Sequence, residues 1–224
     1  MTKKTEHTND DEMDIISSLT SDLKPVKRQR PVWLRAAFAL VAAALLIRVV
    51  SSFFGSPGMP LSEMMTPAFA VEMGLFSLAG IMAVIAALRL SKPDVKIRPL
   101  TYILLGLPLL ILIGIHFYGY MQMSSISLVE HAHEHDTFLH EITDLFFIIA
   151  LPTAMLFYMV GRGAPTFKMW AGYSIVLATA CFGAVALRMF CGMDHGAHLL
   201  LFHYLPVLGF SVIGIALGRF LLRW

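Results

Sequence analysis

The chain has 224 residues, 57% of them hydrophobic and only 14% charged, where about a quarter of a soluble domain is charged. Its apolar residues come in long runs, which excludes a soluble globular domain. The net charge of +2 says little by itself, and no direct contact with nucleic acid is expected.

Residues 1–31 are the only long polar segment and are expected to form a cytoplasmic tail. At about 100° per residue, Ile15, Ile16, Leu19 and Leu23 fall on one apolar stripe of a helix. Asp14, Ser17, Ser18, Ser21 and Asp22 occupy the rest. Asp10, Asp11 and Glu12 place negative charge where a helix start favours it, and Pro25 closes the helix. Roughly three turns are marginal alone in water, so the segment is expected to be ordered by a groove that takes its stripe. A helix lying on anionic lipid carries Lys and Arg on its polar face. Here that face is acidic and hydroxylated, which favours a protein partner over the lipid surface or a plain disordered tail. Lys24, Lys27, Arg28, Arg30 and Arg35 then anchor the first apolar run at a membrane face.

Six apolar runs are present, approximately Val32 to Phe54, Pro67 to Leu90, Leu100 to Tyr120, His140 to Val160, Phe167 to Phe190 and His198 to Leu222. Each meets the ~20 residues needed to cross ~30 Å of hydrocarbon. The fold class is therefore all-α, a polytopic bundle of six transmembrane helices (residues 32–224) behind a short amphipathic N-terminal helix. No cleavable signal peptide is expected. Of the 17 basic residues, seven lie in the tail up to Arg35. Arg89, Lys92, Lys96 and Arg98 fill the second loop, Arg162 and Lys168 the fourth, and Arg219 and Arg223 the end. The loops at Gly55 to Thr66, Met121 to Leu139 and Cys191 to Ala197 contain no Lys or Arg. By the positive-inside rule both termini are cytoplasmic.

Ionisable residues inside the spans cost a few kcal/mol each at mid-bilayer unless paired or hydrated. Arg48 and Glu72 lie at similar depth on the first and second spans and are expected to pair. Arg188, near the outer end of the fifth, has Asp144 or Glu141 as candidate partners, and His116 and His203 lie at similar depth. The expected result is a polar layer in the outer half of the membrane and an apolar inner half. It reads either as a packing belt or as a sensory cavity opening outward.

Eight of the nine histidines fall at or near the outer side. His131, His133, His135 and His140 stand among Glu130, Glu134, Asp136, Glu141 and Asp144, and His195, His198 and His203 follow Cys191. Imidazole with carboxylate suits zinc, copper or nickel. The candidate ligands are His131, His133, His135, His140, His195 and His198, in a weak site or a proton sensor; the alternative is a solvated polar loop with no bound ion, and no cofactor is required. His140-Glu141-Ile142-Thr143-Asp144 is one residue short of the metalloprotease helix pattern, Asp144 standing where histidine belongs, and no nucleophile elbow or phosphate loop appears. The protein is not expected to be an enzyme. Cys181 and Cys191 are ~15 Å apart along a straight helix, too far for a disulfide. Cys181 reads as packing, and Cys191, next to Asp194, His195 and His198, as a candidate for redox or metal sensing.

The pattern Asp14-Ile15-Ile16-Ser17-Ser18-Leu19-Thr20-Ser21-Asp22-Leu23-Lys24-Pro25-Val26 resembles the NrsF-type anti-sigma factors. Further matches are Thr66-Pro67-Ala68-Phe69, Leu88-Arg89-Leu90-Ser91-Lys92-Pro93, Gly161-Arg162-Gly163-Ala164-Pro165-Thr166, Cys191, and Gly218-Arg219-Phe220-Leu221-Leu222-Arg223-Trp224. The resemblance implies a six-span inner-membrane protein whose cytoplasmic tail sequesters an extracytoplasmic-function (ECF) sigma factor and whose outward cysteines sense oxidants or heavy metals. It assigns partner binding to Asp14, Ile15, Ile16, Leu19, Asp22 and Leu23, and one sensing thiol to Cys191. The other thiol would fall near Ile142, where this sequence has none.

The function expected is thus anti-sigma capture by the tail, with release on a periplasmic metal, oxidant or pH signal. The partners are a sigma factor and the bilayer, with the oligomeric state left open. The competing class is a metal-ion or proton transporter using the His-rich outer loop.

Overall fold

The structure is a computed structural model that describes residues 6–21, 30–54, 60–93, 95, 99–121, 135–191 and 198–223. It divides into two units, residues 1–30 and 31–224.

Among its described residues the first unit carries one helix, Glu6–Ser21. It starts four residues before the acidic run at which the sequence pattern placed its beginning. Glu6 to Asn9 include no helix breaker, and the apolar stripe does not extend over them. Met13, Ile15, Ile16 and Leu19 are all exposed. Three hydroxyls turn back onto the helix: Ser17 Oγ donates to the Asp14 carbonyl at 3.0 Å, Thr20 Oγ1 to Ile16 at 2.8 Å and Ser21 Oγ to Ser18 at 2.8 Å. Such bonds satisfy the polar face internally. The expected stop at Pro25 lies outside the described residues.

The second unit has six helices long and apolar enough to cross a membrane. They are Val32–Ser51, Pro67–Leu90, Pro99–Met121, His135–Gly161, Lys168–Phe190 and a sixth from Leu199 to Leu221. The first tightens into a 3-10 turn at Ser52–Phe54. The second is capped by Thr66, whose Oγ1 accepts from Phe69 N at 3.3 Å, with Pro67 at the first helical position, where its missing N–H costs nothing. The fourth begins at His135, five residues before the expected start. The sixth opens as a π-helix, Leu199–Tyr204, and continues as an α-helix over Leu205–Leu221.

The fifth span is the axis of the bundle and the most deeply buried, Ile175, Leu177, Ala178, Ala180 and Ala184 being fully enclosed. Its small residues permit close approach. A Cβ on Gly172 would collide with the Gly214 carbonyl oxygen, and one on Gly218 with that of Lys168. Spans five and six therefore touch backbone to backbone.

At the end of the bundle where the first span begins, Arg35 stitches three helices together. Its Nη1 donates to Ser91 Oγ at 3.0 Å and its Nη2 to the Met159 carbonyl at 2.8 Å. Arg35 is thus a structural clamp as well as part of the basic cluster. Thr153 Oγ1 and Thr179 Oγ1 lie 2.7 Å apart between spans four and five.

Candidate functional site

The polar layer forms at the opposite end, where the second, fourth and sixth spans start and the third and fifth finish. Glu72, one turn into the second span, is buried with Arg188, near the end of the fifth. Arg188 Nε donates to Glu72 Oε2 at 3.3 Å, and Tyr204 Oη donates to Glu72 Oε1 at 3.2 Å. His116 Nε2 stands 4.0 Å from the same carboxylate, and its ring lies 4.9 Å from that of Tyr204. The Arg188 guanidinium also sits over the Phe69 ring at 5.6 Å. Two charges withdrawn from water demand this degree of pairing, because each costs several kcal/mol if left alone.

The expected partners are corrected by this geometry. Glu72 takes Arg188, not Arg48, and Arg188 takes Glu72, not Asp144 or Glu141. The second span packs chiefly on the fifth rather than on the first. The buried stripe of the first span runs through Ala36, Ala39, Ala43 and Ile47, and Arg48 falls to one side of it. Arg48 is exposed and lines a largely apolar groove with Ser51, Phe182 and Met189. Matching depth along two helices does not fix which faces meet.

A second cluster adjoins the first. Glu141 lies near the start of the fourth span, Cys191 caps the fifth, and in the sixth His198 precedes the π-helix and His203 lies within it; all are buried. Cys191 Sγ and His198 Nε2 are 3.2 Å apart, His198 Nε2 and Glu141 Oε1 3.3 Å, and His203 Nε2 and Glu141 Oε2 3.9 Å. One atom from each of the four residues lies within 4.8 Å of the others. The two clusters are joined through Arg188, whose Nη1 donates to the Cys191 carbonyl at 3.3 Å.

The π-helix brings the two histidines together. On an α-helix, residues five apart stand ~140° apart around the axis. A turn widened by one residue swings them back towards a common face, and the two rings lie 5.5 Å apart between centroids.

Of the residues expected to ligate a metal, His198 alone among those described enters this cluster. His140 Nδ1 pairs instead with Asp144 Oδ2 at 2.9 Å, one turn along the fourth span, with the His140 side chain 75% exposed. His131, His133 and His195 lie outside the described residues, and His135 begins the fourth span without a described side chain. In the tail, Asp14, Ile15, Ile16 and Leu19 are exposed on the helix, whereas Asp22 and Leu23 lie outside the described residues. Cys191 is buried rather than open to solvent, and Cys181 belongs to the apolar core. Glu141 and His203 stand out in the sequence only for charge and depth, and Tyr204 does not stand out at all. A polar pair five residues apart at a span's end is the one signal that the sequence offers.

A six-helix apolar bundle with a buried charged and imidazole layer at one end is a multi-pass membrane protein with a polar site inside its hydrophobic part. The chain belongs to the family of negative regulators of sigma F, NrsF, which it matches over residues 19–224. That match takes in Leu19 and the whole bundle, and it begins after Asp14, Ile15 and Ile16. Neither the curated proteins nor the solved structures give a match to the chain.

Proposed function

We propose that the chain is an inner-membrane anti-sigma factor that holds an ECF-type sigma factor on its cytoplasmic tail. Asp14, Ile15, Ile16, Leu19, Asp22 and Leu23 make the contact. The apolar stripe enters a groove on the sigma factor and keeps it from polymerase. A periplasmic metal, oxidant or proton acts on Cys191 and its buried neighbours. The bundle repacks and the tail lets go.

The observation that carries the reading is the family match over residues 19–224, since negative regulation of a sigma factor requires a surface for one. The exposed Ile15, Ile16 and Leu19 supply an apolar stripe of the right kind. A signal can drive release only if it binds two states of the bundle with different affinity. The cluster of Glu141, Cys191, His198 and His203 draws on three different spans, so a ligand there would discriminate between packings.

The test is co-purification of the sigma factor with the full-length protein from membranes. Ile16→Asp combined with Leu19→Asp abolishes capture while the protein still inserts. Capture at the wild-type level by that variant contradicts the assignment.

A further inference from the structure

We propose that Glu141, Cys191, His198 and His203 are the four ligands of a closed site for one zinc-type divalent transition-metal ion. The proposal deepens the sensing role given to Cys191 and rests on that reading only for what binding would do to the tail.

Four observations carry it. The first is spacing. Zinc bonds of ~2.0–2.1 Å to nitrogen or oxygen and ~2.3 Å to sulfur, set tetrahedrally, place neighbouring ligand atoms roughly 3.4–3.6 Å apart. Contacts within the cluster are 3.2 Å from Cys191 to His198, 3.3 Å from His198 to one oxygen of Glu141 and 3.9 Å from His203 to the other, and one ligand atom from each of the four residues falls within 4.8 Å of the rest. Small rotamer adjustments reach the tetrahedron.

The second is an imidazole with nothing else to do. His203 is fully buried, and among the described residues neither ring nitrogen makes a hydrogen bond; Glu141 Oε2 makes none either. Leaving such groups bare costs about 1–3 kcal/mol each, and a metal ion takes up one His203 nitrogen and a Glu141 oxygen.

Charge is the third. Thiolate and carboxylate together supply two negative charges, so a divalent ion leaves the site neutral, which burial favours. Cys191 binds as the thiolate and its proton passes to solvent. One sulfur, two imidazoles and one carboxylate suit zinc better than the all-oxygen preference of magnesium or calcium.

Access is the fourth. A cavity of about 240 Å³ is lined by His140, Glu141, Asp144, Ile148, Leu187, Phe190 and Cys191. Its lining includes the exposed His140, its half-buried partner Asp144 and two of the four ligands.

An ion there would tie the ends of spans four, five and six together. Its pull on Cys191 would pass to Arg188, which holds the Cys191 carbonyl and the Glu72 carboxylate at once.

The full-length protein in detergent, stripped with chelator, is titrated with zinc against a chromophoric competitor, then with cobalt(II) as a spectroscopic probe. One equivalent binds, and the cobalt form shows a thiolate-to-metal absorption band. Cys191→Ser removes the band, and both Cys191→Ser and His203→Gln weaken zinc binding on the order of 100-fold or more. His140→Ala leaves stoichiometry and band unchanged. Should either ligand variant aggregate on gel filtration, Glu141→Gln takes its place. The proposal is overturned if the wild type binds no zinc, or if the ligand variants bind it as the wild type does. Because no sigma factor is present, failure here leaves tail capture standing, and loss of capture leaves the site standing.

Discussion

Arg188 joins two polar clusters with one guanidinium: Nε reaches Glu72 Oε2 at 3.3 Å, and Nη1 reaches the Cys191 carbonyl at 3.3 Å. Arg188 and Glu72 are both buried, so each depends on the other for its charge. Removing one partner of such a pair typically costs about 3–5 kcal/mol, whereas replacing both with apolar groups can be nearly neutral. Arg188→Met and Glu72→Leu are each expected to lower the thermal midpoint in detergent markedly. The double variant recovers most of the loss, and a double-mutant cycle on the four proteins gives the coupling.

Spans five and six are in backbone contact at Gly172 and Gly214. Gly172→Val is expected to destabilise the bundle by at least the 1–3 kcal/mol typical of overpacking, because the obstacle is main chain and cannot swing aside. Gly74, Gly106 and Gly209 have nothing within 4 Å of an added Cβ. Alanine at those positions is expected to leave stability unchanged or slightly raised. Thermal unfolding of the four variants separates the two classes.

Arg35 holds the Ser91 hydroxyl and the Met159 carbonyl. Hydrogen bonds to a charged group contribute about 1.5–3 kcal/mol. Arg35→Ala should therefore loosen the ends of spans one, two and four, and Arg35→Lys should recover only part, lacking the planar fork. Protease accessibility of the 91–93 and 161–166 connections, measured on the detergent-solubilised protein, reports it. Zinc affinity stays unchanged in both variants, since the cluster lies at the other end.

The Lys- and Arg-free loops at residues 55–66, 121–139 and 191–197 are expected to face away from the cytoplasm. Alkaline phosphatase fused within residues 122–134 is expected to be active, and fused within residues 94–98 inactive. The reverse pattern would place the tail on the wrong side of the membrane for a sigma factor.

The spans were legible in the sequence to within a few residues, because hydropathy is summed over ~20 positions and small errors cancel. The depth of Glu72 and Arg188 was legible for the same reason. Their pairing was not: which faces meet depends on how close the backbones come, and that is decided at residues such as Gly172 and Gly214. The histidine site was half legible. Composition marked one end of the bundle as rich in imidazole and carboxylate, but a straight α-helix would have set His198 and His203 on different sides. The π-turn between them leaves no mark in a hydropathy profile. Of the tail stripe, the helix and the exposed Ile15, Ile16 and Leu19 were legible from periodicity alone, whereas Leu23 lies outside the described residues.

The deciding contact is the one that Leu19 makes in the cell. A photo-crosslinking residue placed at Leu19 is expected to capture a sigma factor, and the same residue at Ser21, ~160° away around the helix, to capture far less. Adducts from Leu19 to lipid or to other membrane proteins alone, or equal yields from both positions, would contradict the anti-sigma reading of the tail.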